Sequence, residues 1–333
     1  MKINEWMTVR KSGLYCVPGD FYVDALRPVS RCVITHAHAD HARSGHDTVW
    51  CTKHTADIMQ IRYGENCFAH VHTLAYGQAI SISDVTVTLY SAGHILGSAQ
   101  VLLEYQGVRL LITGDFKRQL DPTCEPFQVV ACDYLITEAT FGLPVFHHPP
   151  IEHELTKLLT SLQNNQDATH LLGCYALGKA QRVIMGLRSL GYNEIIYYHG
   201  AMHKLCQYYA QCGFALGPLE PVGRRDKKTL QGALVLAPPS ALTDKWSQGF
   251  VNKIIAMASG WLSIRARSRQ RRVECPLVVS DHADWDDLLA TIQAINPQHV
   301  FVTHGREDAL VYQCKELGFT ASALHILRDE EES

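Results

Sequence analysis

Short apolar runs separated by turn residues fill the first 140 positions. RCVIT (31–35), AQVLLE (99–104), VRLLI (108–112) and DYLIT (133–137) each have the length of a strand. ISISDVTVTLY (80–90) alternates apolar and polar residues and reads as one further strand, half buried. Gln106-Gly107 sits between two of these runs as a hairpin turn, which favours a mixed or antiparallel sheet. KHTADIMQIR (53–62) has the spacing of a helix.

The pattern changes near Pro149-Pro150. Helix 151–163, strand 169–174, helix 179–190, strand 194–198 and helix 202–212 follow in turn, with further strands near 232–237 and 253–258. Alternation of this kind predicts a parallel α/β unit. A basic run at 265–272 reads as a loop, and beyond it come strand 276–280, helix 284–295, strand 299–303 and helix 307–317. The expected organisation is a first domain over 1–146, an inserted α/β domain over 147–273 and a return to the first domain over 274–333, ending in a solvated RDEEES tail.

Composition mainly excludes. Hydrophobic residues make up 47% of the 333, the globular range, so the chain is neither a disordered tail nor a fibre. No stretch approaches the ~20 apolar residues that span a bilayer. MKINEWMTVRKSG lacks the apolar core of a secretory leader. Eleven cysteines, an odd number with no C-x-x-C among them, fit reduced, mostly buried thiols and a cytoplasmic protein better than a disulfide framework. A net charge of −3 gives no global attraction to nucleic acid, so any such binding must rest on a local patch. Eighteen histidines are the outlying count and direct attention to metal or proton chemistry.

Thr35-His36-Ala37-His38-Ala39-Asp40-His41 follows an apolar strand directly. His36 and His38, two apart, can point the same way toward one metal ion, and Asp40 and His41, one turn later, can face a second. Ala37 and Ala39 let the backbone turn tightly around them. The competing reading is a chance histidine cluster at a polar turn.

The H-x-H-x-D-H order resembles the metallo-β-lactamase superfamily, and later segments extend the resemblance: SAGH ending at His94, LITGD ending at Asp115, VTHG around His304, and Asp24 in FYVDA. The resemblance implies an αββα sandwich in which His36, His38 and His94 bind one metal, Asp40, His41 and His304 bind a second, Asp115 bridges them and Asp24 orients the histidine loop. The mixed imidazole and carboxylate set implies two divalent ions, Zn²⁺ first and Mn²⁺ next, with no cysteine ligand. Paired ions about 3.5–4 Å apart suit in-line displacement at phosphorus.

Thr137-Glu138-Ala139-Thr140-Phe141-Gly142 and Ser280-Asp281-His282-Ala283-Asp284 resemble motifs of the β-CASP branch, whose members process nucleic acids and carry an inserted domain. The resemblance implies that Glu138 pairs with His282, raising its pKa, and that His282 serves the leaving oxygen or scissile phosphate, with the inserted α/β domain capping a cleft for one strand. GDFYVDALRPVSRCVITHAHADHA, YALGKAQRV, ASGW, RARSRQRR and VVSDHADW resemble bacterial DNA ligase-associated exonucleases over essentially the whole chain. That points to DNA repair and to a ligase or helicase as partner. His304 points the other way, because RNA-processing members keep a histidine there and the eukaryotic DNA-specific members generally do not.

Arg265, Arg267, Arg269, Arg271 and Arg272 gather five guanidiniums in eight residues, a local track for a polyanion or else a plain solvated loop. Lys179 and Arg182 open a helix and are candidate phosphate contacts, the alternative being ordinary surface charges at a helix start. Trp261 could stack a base but fits a buried strand end better. The remaining twelve histidines are assigned no chemistry. The expected activity is metal-dependent phosphodiester hydrolysis, foremost exonucleolytic trimming of DNA. Rivals are an RNA nuclease of the same fold, a small-molecule ester or thioester hydrolase, and a non-catalytic scaffold that has lost its ligands.

Overall fold

The computed structural model describes residues 3–223, 225–270 and 272–327. The chain forms two compact units, Met1–Pro144 with His282–Ser333, and Val145–Asp281.

The first unit contains two sheets. Met7–Arg10, Gly13–Cys16, Phe21–Val23, Arg31–Val33, His46–Cys51 and Phe68–Thr73 lie side by side in chain order, antiparallel over the first three strands and parallel from Phe21–Val23 onward. The second sheet has seven strands in the order Thr320–Ala323, His299–Gly305, Tyr134–Ala139, Val108–Ile112, Ala99–Tyr105, Val85–Ser91 and Ala79–Ile82. Its alternation divides two cores. Leu110, Ile112, Ile136 and Phe301 join Met7, Phe21, Val33 and Trp50 of the first sheet in one cluster. Leu111, Leu135, Val300 and Val302 pack on the other face with Leu288 and Ile292 of helix Trp285–Ile295 and Leu310 of helix Glu307–Glu316. Helix Lys53–Tyr63 touches the Phe68–Thr73 strand of the first sheet. The architecture is the expected αββα sandwich.

The 80–90 segment is a hairpin, Ala79–Ile82 against Val85–Ser91, rather than one strand. Ser83 takes a positive φ of 53° in the two-residue turn. The signal is a slip of phase: apolar spacing is two up to Ile82, then three to Val85, which puts both residues opposite each other on the same face.

The second unit is built on a parallel six-stranded sheet ordered Leu219–Pro221, Ile196–Tyr198, Leu234–Ala237, Thr169–Gly173, Lys253–Ala258 and Cys275–Leu277. The two central strands, Leu234–Ala237 and Thr169–Gly173, are buried at every residue, as strands covered on both faces must be. Two expectations change here. Residues 274–281 stay in this unit instead of returning to the first: Cys275–Leu277 pairs with Lys253–Ala258, Glu274 accepts the Ile255 N–H at 2.8 Å, and Glu154 accepts that of Val278 at 2.8 Å. An apolar run such as PLVV can extend either sheet, and the flanking carboxylates decide which. The basic run is not a loop but contains a short helix, Arg265–Gln270.

Candidate metal centre

The Arg31–Val33 strand ends where Ile34 donates its N–H to the Trp50 carbonyl (2.9 Å), and the chain then turns back on itself through His41 and Ala42 N–H groups donated to the His38 carbonyl (3.2 and 2.8 Å). Arg62 reaches the Ala37 carbonyl and ties helix Lys53–Tyr63 to the same turn. These contacts gather side chains close in sequence onto one site.

Asp24 controls the turn. It stands just past the Phe21–Val23 strand with φ 49° and accepts the Thr35 N–H (2.8 Å), the Thr35 hydroxyl proton (2.6 Å) and a contact from His41 Nδ1 (2.7 Å). The Thr35 hydroxyl has a single proton and gives it to Asp24. His36 Nδ1, 3.0 Å from that oxygen, must therefore be the donor between them, which puts the His36 lone pair on Nε2. His36 Nε2 is fully buried with no hydrogen-bond partner among the described residues and lies 3.4 Å from Asp115 Oδ2. Burial, together with the neighbouring imidazoles, holds the His36 pKa well below its ordinary value, so the ring is neutral. A neutral, oriented imidazole nitrogen with nothing to bond to, facing a carboxylate, is the donor a divalent cation requires.

Three more side chains complete the group. Gly93 (φ 69°) admits the turn to His94, since a Cβ there would stand 2.4 Å from the Lys117 carbonyl oxygen. The Ser98 hydroxyl accepts the His94 N–H at 3.1 Å, and His94 Nε2 lies 3.0 Å from His38 Nδ1. Asp115 follows the Val108–Ile112 strand and is buried. One donor atom each from His36, His38, His94 and Asp115 falls within 4.8 Å of the others, the arrangement expected for a metal ion.

Asp115 also faces the other way. Its Oδ1 lies 3.4 Å from His41 Nε2, while its Oδ2 is the oxygen toward His36 and His94. Burial works against charge on His41, but Asp115, Asp24 and Asp40 outweigh it and raise the pKa to about 10. Burial likewise opposes ionisation of Asp115, and His41, His282 and His94 nevertheless hold it well below the usual carboxylate range. Asp40 is largely exposed, 3.9 Å from His41 Nε2, and the His304 ring is 5.1 Å from that of His41. Asp40, His41 and His304 line one cavity with Asp24 and Glu138, and all three stand outside the four-residue group.

His304 reaches this cavity through a β-bulge. Glu138 pairs with Thr303 and Ala139 with Gly305, so His304 is the extra residue, with φ 53°. Gly305 is required beside it, because a Cβ would meet the Ala139 carbonyl oxygen at 1.9 Å. Glu138, on the facing strand, accepts the Phe116 N–H at Oε1 (2.8 Å) and holds Oε2 3.0 Å from His282 Nδ1. His282 Nδ1 is 3.9 Å from Asp115, and the His94 and His282 rings are 4.7 Å apart. Phe116 also accepts the Ala283 N–H (2.6 Å), and Asp284 caps helix Trp285–Ile295 by accepting the Asp287 N–H (3.0 Å), so the backbone is held immediately after His282.

The second unit corrects two expectations. Lys179 and Arg182 are not surface phosphate contacts: they are 4% and 3% exposed, Lys179 Nζ lies 2.7 Å from Asp281 Oδ1, and Arg182 donates to the Ser280 carbonyl. The first turn of helix Lys179–Ser189 is buried, and a buried cation needs an internal partner. Arg265, Arg269 and Arg272 are exposed, as a polyanion contact requires. Arg267 is half-buried over the Trp261 ring, 4.4 Å from its centroid, and Arg271 lies outside the described residues. Thr35, Ser98, Arg62 and the Phe116 backbone were not singled out from the sequence, because each acts by holding a neighbour.

The sandwich and its histidine–aspartate cluster define a chain of the metallo-β-lactamase fold with a candidate metal centre. A family profile described as a Zn-dependent metallo-hydrolase RNA specificity domain matches residues 272–323. The chain is 32% identical over 96% of its length to a protein of Opitutus terrae named "Probable DNA ligase", 31% over 60% to "Endoribonuclease YSH1" of Gibberella zeae, and 28% over 48% to an "RNase J-like protein" of Methanocaldococcus jannaschii. It spans 31%, 27% and 43% of those proteins. A crystal structure of an Enterococcus faecalis protein of unknown function superposes with a TM-score of 0.59 at 13% identity, covering 87% of this chain and 78% of that one, which supports the fold alone. These similarities agree with the metallo-β-lactamase fold and with the motif order read from the sequence.

Proposed function

We propose that this chain hydrolyses phosphodiester bonds in nucleic acid with two divalent cations, Zn²⁺ or Mn²⁺, and that its substrate is DNA trimmed from an end during repair. The observation that carries the hydrolase reading is the buried, partnerless Nε2 of His36 set among His38, His94 and Asp115, beside the Glu138–His282 pair. His36, His38, His94 and Asp115 would hold one ion, and Asp115, Asp40, His41 and His304 the other. Bound cations supply Lewis acidity to the phosphate and to water at neutral pH.

The remaining roles fall to the chain. Asp24 and Thr35 fix the tautomers of His41 and His36. Glu138, held by the Phe116 N–H, accepts from His282 Nδ1, so protonated His282 presents its Nε2–H to the departing oxygen and Glu138 stabilises the imidazolium. His282→Ala is expected to slow cleavage by about 10²–10⁴-fold, the range of a lost general acid, with Glu138→Gln moving in the same direction. Initial rates on a labelled strand check this, and a His282→Ala enzyme within threefold of wild type removes His282 from the chemistry.

Similarity over nearly the whole chain to a protein named as a DNA ligase supports DNA and a ligating partner. A second reading, RNA, is favoured by the RNA specificity profile, which spans both His282 and His304, and by the endoribonuclease relatives. Matched DNA and RNA strands, labelled at the 5′ or the 3′ end and digested with each metal, separate the two. Ladders shortening from one end of DNA alone are expected. Internal cuts in RNA alone would establish the second reading instead.

A further inference from the structure

We infer that Tyr175 is a stacking platform for an unpaired nucleobase of a single strand, an inference that rests on the nuclease reading above. All six strands of the second unit's sheet run parallel, so their carboxyl ends share one edge, and open parallel sheets bind ligands outside that edge. Thr169–Gly173 is a central strand there, with Gly173 in register with Ala237 on one side and Met257 on the other. Tyr175 leaves this strand two residues on and is 60% exposed, although Cys174 before it and Leu177 after it are buried.

An exposed tyrosine is ordinarily mobile, but this ring is backed by a fixed charge. Lys179 Nζ lies 4.8 Å from the ring centroid, and Lys179 is itself buried and fixed to Asp281 at 2.7 Å. A cation on one face of an aromatic ring holds the ring in place. Tyr175 thus offers aromatic surface to solvent in a preset orientation, which lowers the ordering cost of binding a flat ligand.

The neighbouring strand end supplies the charge such a ligand would bring a need for. Lys253–Ala258 leads through the turn Gly260–Ser263 to Trp261, with Arg267 over its ring, and then to the exposed Arg265 and Arg269. An aromatic face beside a cationic helix on adjacent strand ends fits a base on the ring and its backbone phosphates on the guanidiniums. A duplex does not fit, because its base faces are already stacked on one another.

The test measures affinity by fluorescence anisotropy for single strands, DNA and RNA, with non-hydrolysable linkages, and for a blunt hairpin of the same sequence. Tyr175→Ala is expected to weaken single-strand binding about tenfold, within the range for one stacked base, to leave hairpin binding within twofold, and to be rescued by Tyr175→Phe. An abasic site scanned along the strand should weaken wild type at one position and leave Tyr175→Ala indifferent at that position. Equal affinities of wild type and Tyr175→Ala, or equal abasic penalties at every position, overturn the inference while leaving the nuclease reading intact. Wild-type protein that neither binds nor cleaves any strand overturns the nuclease reading itself.

Discussion

Asp115→Asn is expected to lower metal-dependent hydrolysis by at least about a thousandfold, equivalent to about 4 kcal/mol of barrier. Asp115 faces imidazoles with both of its carboxylate oxygens. Its Oδ1 faces His41 and its Oδ2 faces His36, His94 and His282, all within 4 Å. Asparagine keeps the shape and one oxygen but removes the charge, so four imidazoles lose the carboxylate around which they are arranged. Metal content by elemental analysis should fall together with the rate. The circular dichroism spectrum should stay that of the native sandwich, whose cores do not include Asp115. An Asn variant retaining more than a tenth of wild-type activity would show that Asp115 does not join two metal positions.

Lys179→Met is expected to destabilise the second unit by about 3–5 kcal/mol, the cost of leaving one member of a buried ion pair without its partner. The pair is deep, with side-chain exposures of 5% for Lys179 and 2% for Asp281, so solvent screening relieves little of that cost. Asp281→Leu in the Lys179→Met background should recover much of the loss, because an apolar pair of similar volume carries no desolvation penalty. Urea denaturation followed by tryptophan fluorescence reads the effect, since Trp246 and Trp261 lie in the second unit. Additive losses in the double variant would mean that the two charges act independently. Because Asp281 precedes His282 directly, a slower rate in Lys179→Met at unchanged metal content is the expected accompaniment.

The metal-binding turn was legible because His36, His38, Asp40 and His41 are contiguous and follow an apolar strand, so local sequence carries most of the geometry. The Glu138–His282 pairing was legible only through resemblance, since 144 residues separate the partners. The bulge that delivers His304 was not legible at all, being a register relation between strands at 134–139 and 299–305. Lys179 and Arg182 misled for an electrostatic reason. A basic residue at a helix start looks the same whether its counter-ion is a phosphate outside or a carboxylate about a hundred residues later. Thr35 escaped notice because a threonine at a strand end has many fates, and only the spacing to Asp24 and His36 reveals its part in setting a tautomer.

The boundary at Asp281 has a consequence for building chimeras. A second unit exchanged between relatives by cutting at 273 would leave the recipient's own segment to supply the edge strand at 275–277 and the counter-ion at 281, mismatched to the donor's Lys253–Ala258 and Lys179. A transplant spanning 145–281 carries the edge strand, the carboxylate of Glu154 that accepts the Val278 N–H, and the lysine's counter-ion as one cassette. It also keeps His282 on the recipient side, so swapped units can be compared for substrate preference while His282 and Glu138 stay constant.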